Sequence, residues 1–243
     1  MKKLSEEALK FGFHVKSAQN GIYAISNKIP NIMNTFYSFF YTAWQESSAK
    51  ALSKENTNEY YNSIYIAIKN FLYAILICII TAIPFIFSIL INESYSEAYL
   101  YIPILILGVY YSNISGFYGG IFTAYKSTKI LGITTTIAAV INLVVNILLI
   151  KSIGVYAAAI STLIANMVVN YYRKIRVKQY IIFKNEKNIL KVVILIFIII
   201  VYYINNIYLN IISLLFAIGY SLFLNINFIR GIKDMVKKVI IKN

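Results

Sequence analysis

Groups that do chemistry are scarce in this sequence. It has one cysteine, Cys78, and one histidine, His14. A single cysteine excludes an internal disulfide, and neither residue belongs to a metal-ligand cluster. Of 243 residues only nine are acidic, and none lies deep inside an apolar run, so no pair of carboxylates is placed for acid–base work or for a proton or sodium relay. Phosphate-binding glycine loops and nucleophile motifs are missing too, and no cofactor is called for. A cleavable leader is not evident, because Ser5, Glu6 and Glu7 follow the basic start where an apolar core would be needed.

Apolar residues are abundant. They make up 59% of the chain, charged residues only 13%, and the mean hydropathy is +0.68. A water-soluble globule of this length could not hide that much apolar surface, so lipid is the solvent that fits. The net charge of +14 would otherwise suggest nucleic acid, but basic residues also collect at the cytoplasmic ends of membrane spans, and no nucleic-acid partner is expected.

Crossing the hydrocarbon takes about 20 apolar residues in a helix. Six stretches read as spans: Phe71–Leu90, Tyr99–Ala124, Ile130–Ile150, Ile153–Tyr172, Val192–Ile204 and Ile207–Phe228. Val192–Ile204 is short, and Leu190 with a snorkelling Lys191 extends it. A more polar seventh, Gly21–Trp44, comes first. Loop charge tests the count. The connections 45–62, 125–130, 173–191 and 229–243 hold sixteen lysines and arginines, whereas 92–98, 151–152 and 205–206 hold only Lys151. This asymmetry puts the basic connections and the C-terminus in the cytoplasm. Seven spans then place residues 1–20 outside, although they carry Lys2, Lys3, Lys10 and Lys16. The domain reading is an atypical tail over 1–20, five helices over 21–172, a basic cytoplasmic loop over 173–191, two helices over 192–228 and a basic tail over 229–243.

At about 100° per residue, Asn27, Asn31, Asn34, Ser38 and Gln45 share a narrow arc of the first span, with Thr35, Thr42 and Lys28 on its shoulder. Ile25, Ile29, Ile32, Met33, Phe36, Phe39 and Phe40 lie opposite, and Pro30 interrupts the hydrogen bonding. A surface-lying amphipathic helix would carry more lysine and arginine on its polar face. An asparagine-rich face favours a span that lines a hydrated cavity. Lys28 either meets an anionic substrate such as a phosphate or reaches the headgroups. Asn142 and Asn146 share a face of Ile130–Ile150 and are the next candidates to line a cavity. Gly116 and Gly120, and the small residues Ala157, Ser161 and Ala165, suit close helix packing.

The stretch GIYAISNKIPNIMNTFYSFFYTAWQESSAK (21–50) resembles a segment of the Wzx-type polysaccharide flippases, in the multidrug/oligosaccharidyl-lipid/polysaccharide exporter superfamily. The order of Gly116–Ala165, with Lys126, Lys129, Asn142, Asn146 and GVYAAAISTL (154–163), is similar to that family's consecutive helices. The resemblance covers roughly residues 17–175. It implies an all-α polytopic membrane bundle of about seven transmembrane helices, corresponding to the C-terminal lobe plus two extra helices of a fourteen-helix exporter. It further implies translocation of lipid-linked (pyrophosphate) oligosaccharides, such as O-antigen precursors of lipopolysaccharide, across the bacterial cytoplasmic membrane by alternating access. The resemblance carries a substrate-facing role to Lys28 alone; the helix faces add Asn27, Asn31, Asn34, Asn142 and Asn146 as the other candidate substrate-binding residues. Nothing here resembles the first lobe, so the resemblance implies a C-terminal half that needs an N-terminal lobe or a second copy. A multidrug exporter of the superfamily and a non-functional fragment are the alternatives. A membrane glycosyltransferase or polymerase would need a larger outer loop than the seven residues around Asn92–Ala98.

Overall fold

The computed structural model describes residues 17–53, 55–184 and 188–231, and the side chains of these from residue 21 on. Expectations for residues 1–16 and 232–243 lie outside the described residues, as do those for Lys54 and Lys187.

Among the described residues the helices follow in the order α1 (Ser17–Ala51), α2 (Thr57–Leu90), α3 (Ala98–Ala124), α4 (Lys129–Ile153), α5 (Val155–Val177), α6 (Ile189–Ile204) and α7 (Ile207–Leu224), with a 3₁₀ turn at Glu93–Tyr95. The chain is a polytopic membrane helical bundle. Helices α2, α3, α4, α5 and α7 are long and apolar enough to cross a membrane. Of the remaining two, α1 is long but polar on one side, and α6 has 16 residues. At 1.5 Å per residue α6 reaches about 24 Å, short of the roughly 30 Å of hydrocarbon.

Several boundaries differ from the sequence reading. Helix α1 runs from Ser17 to Ala51, beyond both ends of Gly21–Trp44, α2 begins at Thr57, well before the apolar run at Phe71, and α5 continues to Val177. Arg173, Lys174 and Arg176 are therefore helical and not part of a loop. Outside lipid a helix needs no apolar composition, and Lys and Arg are good helix formers.

The connections use residues suited to tight reversals. Asn205 adopts the left-handed conformation, and Asn206 then accepts hydrogen bonds from the backbone N–H groups of Tyr208 and Leu209, starting α7. The corner between α4 and α5 is Gly154, with φ 54° and ψ −130°, a region that disfavours any Cβ. Gly154→Ala is expected to destabilise the fold by about 1–3 kcal/mol, measurable as a lowered melting temperature in detergent. At the end of α1, a hydrogen bond from the Lys50 ammonium, aided by its charge, holds the Glu46 carboxyl below the usual carboxylate range.

Helix α3 is the centre of the bundle. It packs most extensively on α1 and α5, α4 packs on α5, and α2 packs on α7. Glycines set the α1–α3 distance. A Cβ built on Gly116 would sit 2.7 Å from the Tyr37 hydroxyl, and one on Gly120 would overlap the Trp44 ring, with its Cδ1 at 2.6 Å. Trp44 is 1% exposed, donates its indole N–H to the Phe117 carbonyl at 3.0 Å, and stacks on the Phe117 ring at 4.4 Å. Close to it, the Tyr61 hydroxyl donates to the Ser48 carbonyl at 2.7 Å. The opposite end of the bundle has its own tyrosine cluster. Tyr99 and Tyr202 stack at 4.2 Å, and each donates its hydroxyl to the other's backbone carbonyl. Amphipathic rings at both ends suit the two membrane interfaces.

Candidate functional site

Helix α1 presents three faces. Ile22, Ser26, Ile29, Met33, Tyr37, Trp44 and Ser48 are buried, at the three- and four-residue spacing of one helical stripe. Ile32, Phe36 and Phe39 are 46%, 50% and 73% exposed and form an outward apolar face. The sequence reading had grouped the buried Ile29 and Met33 with these exposed residues. The third face is the polar arc.

The polar arc keeps its hydrogen bonds within the helix. Asn27 donates to the Tyr23 carbonyl at 2.8 Å, Asn34 to the Asn31 side chain at 2.9 Å, and Thr35 to the Asn31 carbonyl at 3.1 Å. Ser38 and Thr42 donate to the carbonyls of Thr35 and Ser38. By contrast, the buried polar groups of α1 reach other elements: Ser26 bonds to the Ala98 carbonyl and Ser48 to that of Gly120. Asn31, Thr35, Ser38, Thr42 and Gln45 are exposed, and Lys28 is exposed with no ion pair among the described residues. The arc is thus an open surface of amides and hydroxyls with one cation.

Asn142 and Asn146 face a different neighbour. Asn142 donates to Thr162 of α5 at 3.1 Å. The Asn146 side-chain oxygen is buried without a hydrogen-bond partner among the described residues. Helix α4 packs chiefly on α5, so the packed structure does not bring these two asparagines onto the α1 stripe.

Two further cationic places escaped the sequence reading, which assigned basic residues to loops by chain position. Arg173 sits inside the bundle. Its Nε donates to the Thr134 hydroxyl of α4 at 2.9 Å, and its Nη1 donates to the carbonyl and hydroxyl oxygens of Ser115 in α3, both at 3.2 Å. Tyr37 and Tyr41 of α1 lie close enough to feel its charge. Arg173 has no carboxylate partner among the described residues. The second place is a cavity of about 180 Å³ between α2, α3, α5 and α6, whose lining includes Lys69, Lys174 and Lys191. Lys69 was legible only as a cation two residues before an apolar run.

This fold is similar to a solved structure of the lipid II flippase MurJ in an inward closed conformation, with a TM-score of 0.57 over 85% of this chain. The two chains share a helical fold over that span. Sequence identity across the match is 18%, and the chain spans 48% of the length of that flippase. No family profile matches the sequence, and neither does any curated protein.

Proposed function

We propose that the chain is one lobe, with a final helix pair, of a transporter that moves a lipid-linked, phosphate-bearing precursor across the bacterial cytoplasmic membrane by alternating access. The observation that carries this reading is the open polar face of α1. Among the described residues no other helix hydrogen-bonds to its amides and hydroxyls, yet they stand on a helix that elsewhere packs tightly into the bundle. Such a face stays solvated only if it borders a water-filled cavity. Amides and hydroxyls suit sugar hydroxyls, and Lys28 suits a pyrophosphate, so a Wzx-type oligosaccharide precursor is the finer reading. The likeness to a lipid II flippase supports a lipid-linked substrate. A half-length chain needs a facing lobe, supplied by an N-terminal partner or a second copy. Under this reading the C-terminus is cytoplasmic. Asn142 and Asn146 belong to the α4–α5 seam and join the site only when that seam opens.

The test is translocation of a fluorescent lipid-pyrophosphate oligosaccharide in proteoliposomes that also contain the facing lobe. Losing one charge-assisted hydrogen bond, about 1.5–3 kcal/mol, predicts a roughly 10- to 100-fold slower rate for Lys28→Gln. Lys28→Arg is expected to keep most of the activity. Equal rates for Lys28→Gln and the unaltered protein would remove Lys28 from the site.

A further inference from the structure

The cavity between α2, α3, α5 and α6 has two chemically distinct parts. Three lysines line one part, each from a different helix: Lys69 from α2, Lys174 from α5 and Lys191 from α6. All three stand at the end of the bundle that carries the basic connections. The Lys69 ammonium donates to the Asn188 side chain at 3.0 Å and lies 5.4 Å from the centre of the Tyr65 ring, while Lys191 donates to Asn70 at 2.6 Å. These bonds fix where the two ammonium groups sit. Further along the spans, Leu76, Leu107 and Leu195 line the other part. Lys69 is buried, so its charge acts in a medium that screens it poorly.

A soluble anion would require only the cationic part. A membrane lipid needs both parts: cations at the interface for its phosphate and an aliphatic wall beneath for its chains. We propose that this cavity holds the phosphate headgroup of an anionic membrane lipid, seated on Lys69, Lys174 and Lys191, with an acyl chain against Leu107 and Leu195. A lipid seated there would join α6 to the α2–α3–α5 core, whose direct contact with α6 is small. The site is separate from the α1 face and does not depend on the transport reading.

Native mass spectrometry of the full chain, titrated in detergent with phosphatidylglycerol, phosphatidylcholine or inorganic pyrophosphate, tests it. Phosphatidylglycerol is expected to bind at least tenfold more tightly than phosphatidylcholine. Each of Lys69→Gln, Lys174→Gln and Lys191→Gln is expected to weaken phosphatidylglycerol binding by up to about fivefold. Lys129→Gln and Lys178→Gln, cations of the same end that do not line the cavity, should leave it unchanged. Leu107→Trp keeps every charge but fills the aliphatic part, so it should weaken the lipid and leave pyrophosphate binding unaltered. Lys174 is exposed, so its variant reads the site even if the buried Lys69 variant fails to fold. Equal binding of the two lipids would overturn the proposal. Pyrophosphate competing as well as the lipid, with Leu107→Trp inert, would overturn it in favour of a free-phosphate site. Either failure leaves the translocation assay to be judged on its own result.

Discussion

Trp44→Ala is expected to destabilise the bundle by about 3–5 kcal/mol, the cost of emptying a large packed site. In lipid the loss is one of packing and hydrogen bonding, because surrounding acyl chains are as apolar as the interior. Trp44 links α1 to α3 through its stacking on Phe117 and its bond to the Phe117 carbonyl. Trp44→Phe keeps a ring and loses the N–H, so about 1 kcal/mol is expected. Gly120 supplies a sign test. In the unaltered protein Gly120→Ala drives a Cβ into the indole and should destabilise by about 1–3 kcal/mol. In the Trp44→Ala background the obstacle is gone, and the same change should become neutral or stabilising by up to about 1 kcal/mol through helix propensity. Reversible unfolding in mixed micelles measures both. Additive effects would mean that the glycine and the indole are not coupled.

The second large effect concerns how α4 is held. Among the described residues of α4, Thr134 alone is buried. The polar links of α4 into the bundle include Thr134 to Arg173 and Asn142 to Thr162. Arg173→Met removes the first link and the bonds to Ser115. Global stability should change little, because relieving the burial of a charge offsets the lost bonds. Local opening of α4 should change strongly. A loss of about 1.5–3 kcal/mol from charge-assisted bonds predicts hydrogen exchange roughly 10- to 100-fold faster in α4. Arg173→Lys should not rescue it, since a single ammonium cannot reproduce a planar fork that serves α3 and α4 together. Uniform acceleration in all helices would instead assign Arg173 to the general fold.

How much was legible follows from what lipid demands of a chain. The limits of α3 and α4 agree with the apolar runs Tyr99–Ala124 and Ile130–Ile150 to within a few residues, because the hydrocarbon imposes a composition on everything it touches. The early start of α2 left no such mark, since its first turns carry the exposed Asn58 and Glu59 and the buried but hydrogen-bonded Asn62 in place of an apolar run. The polar arc of α1 was readable as a period, but its lipid-facing and buried sides were not, because Phe39 and Met33 are equally apolar and only the position of α3 separates them. Arg173 and Lys69 were hidden for a related reason: counting charges along the chain records where a residue falls in sequence, not which way its helix turns it. Asn142 and Asn146 carried a true periodic signal, and the structure directs it toward α5.

The glycine-notched seam between α1 and α3 also bears on biosynthesis. Helix α1 leaves the ribosome first of the described helices, yet it is not among those apolar enough to enter the bilayer by composition. Its natural acceptor, the Gly116–Gly120 ridge, is made some seventy residues later. Until then α1 is expected to wait at the insertion channel or the membrane surface, and to move inward only when α3 arrives. Membrane entry of this chain would then follow an order set by packing partners and not by the order of synthesis.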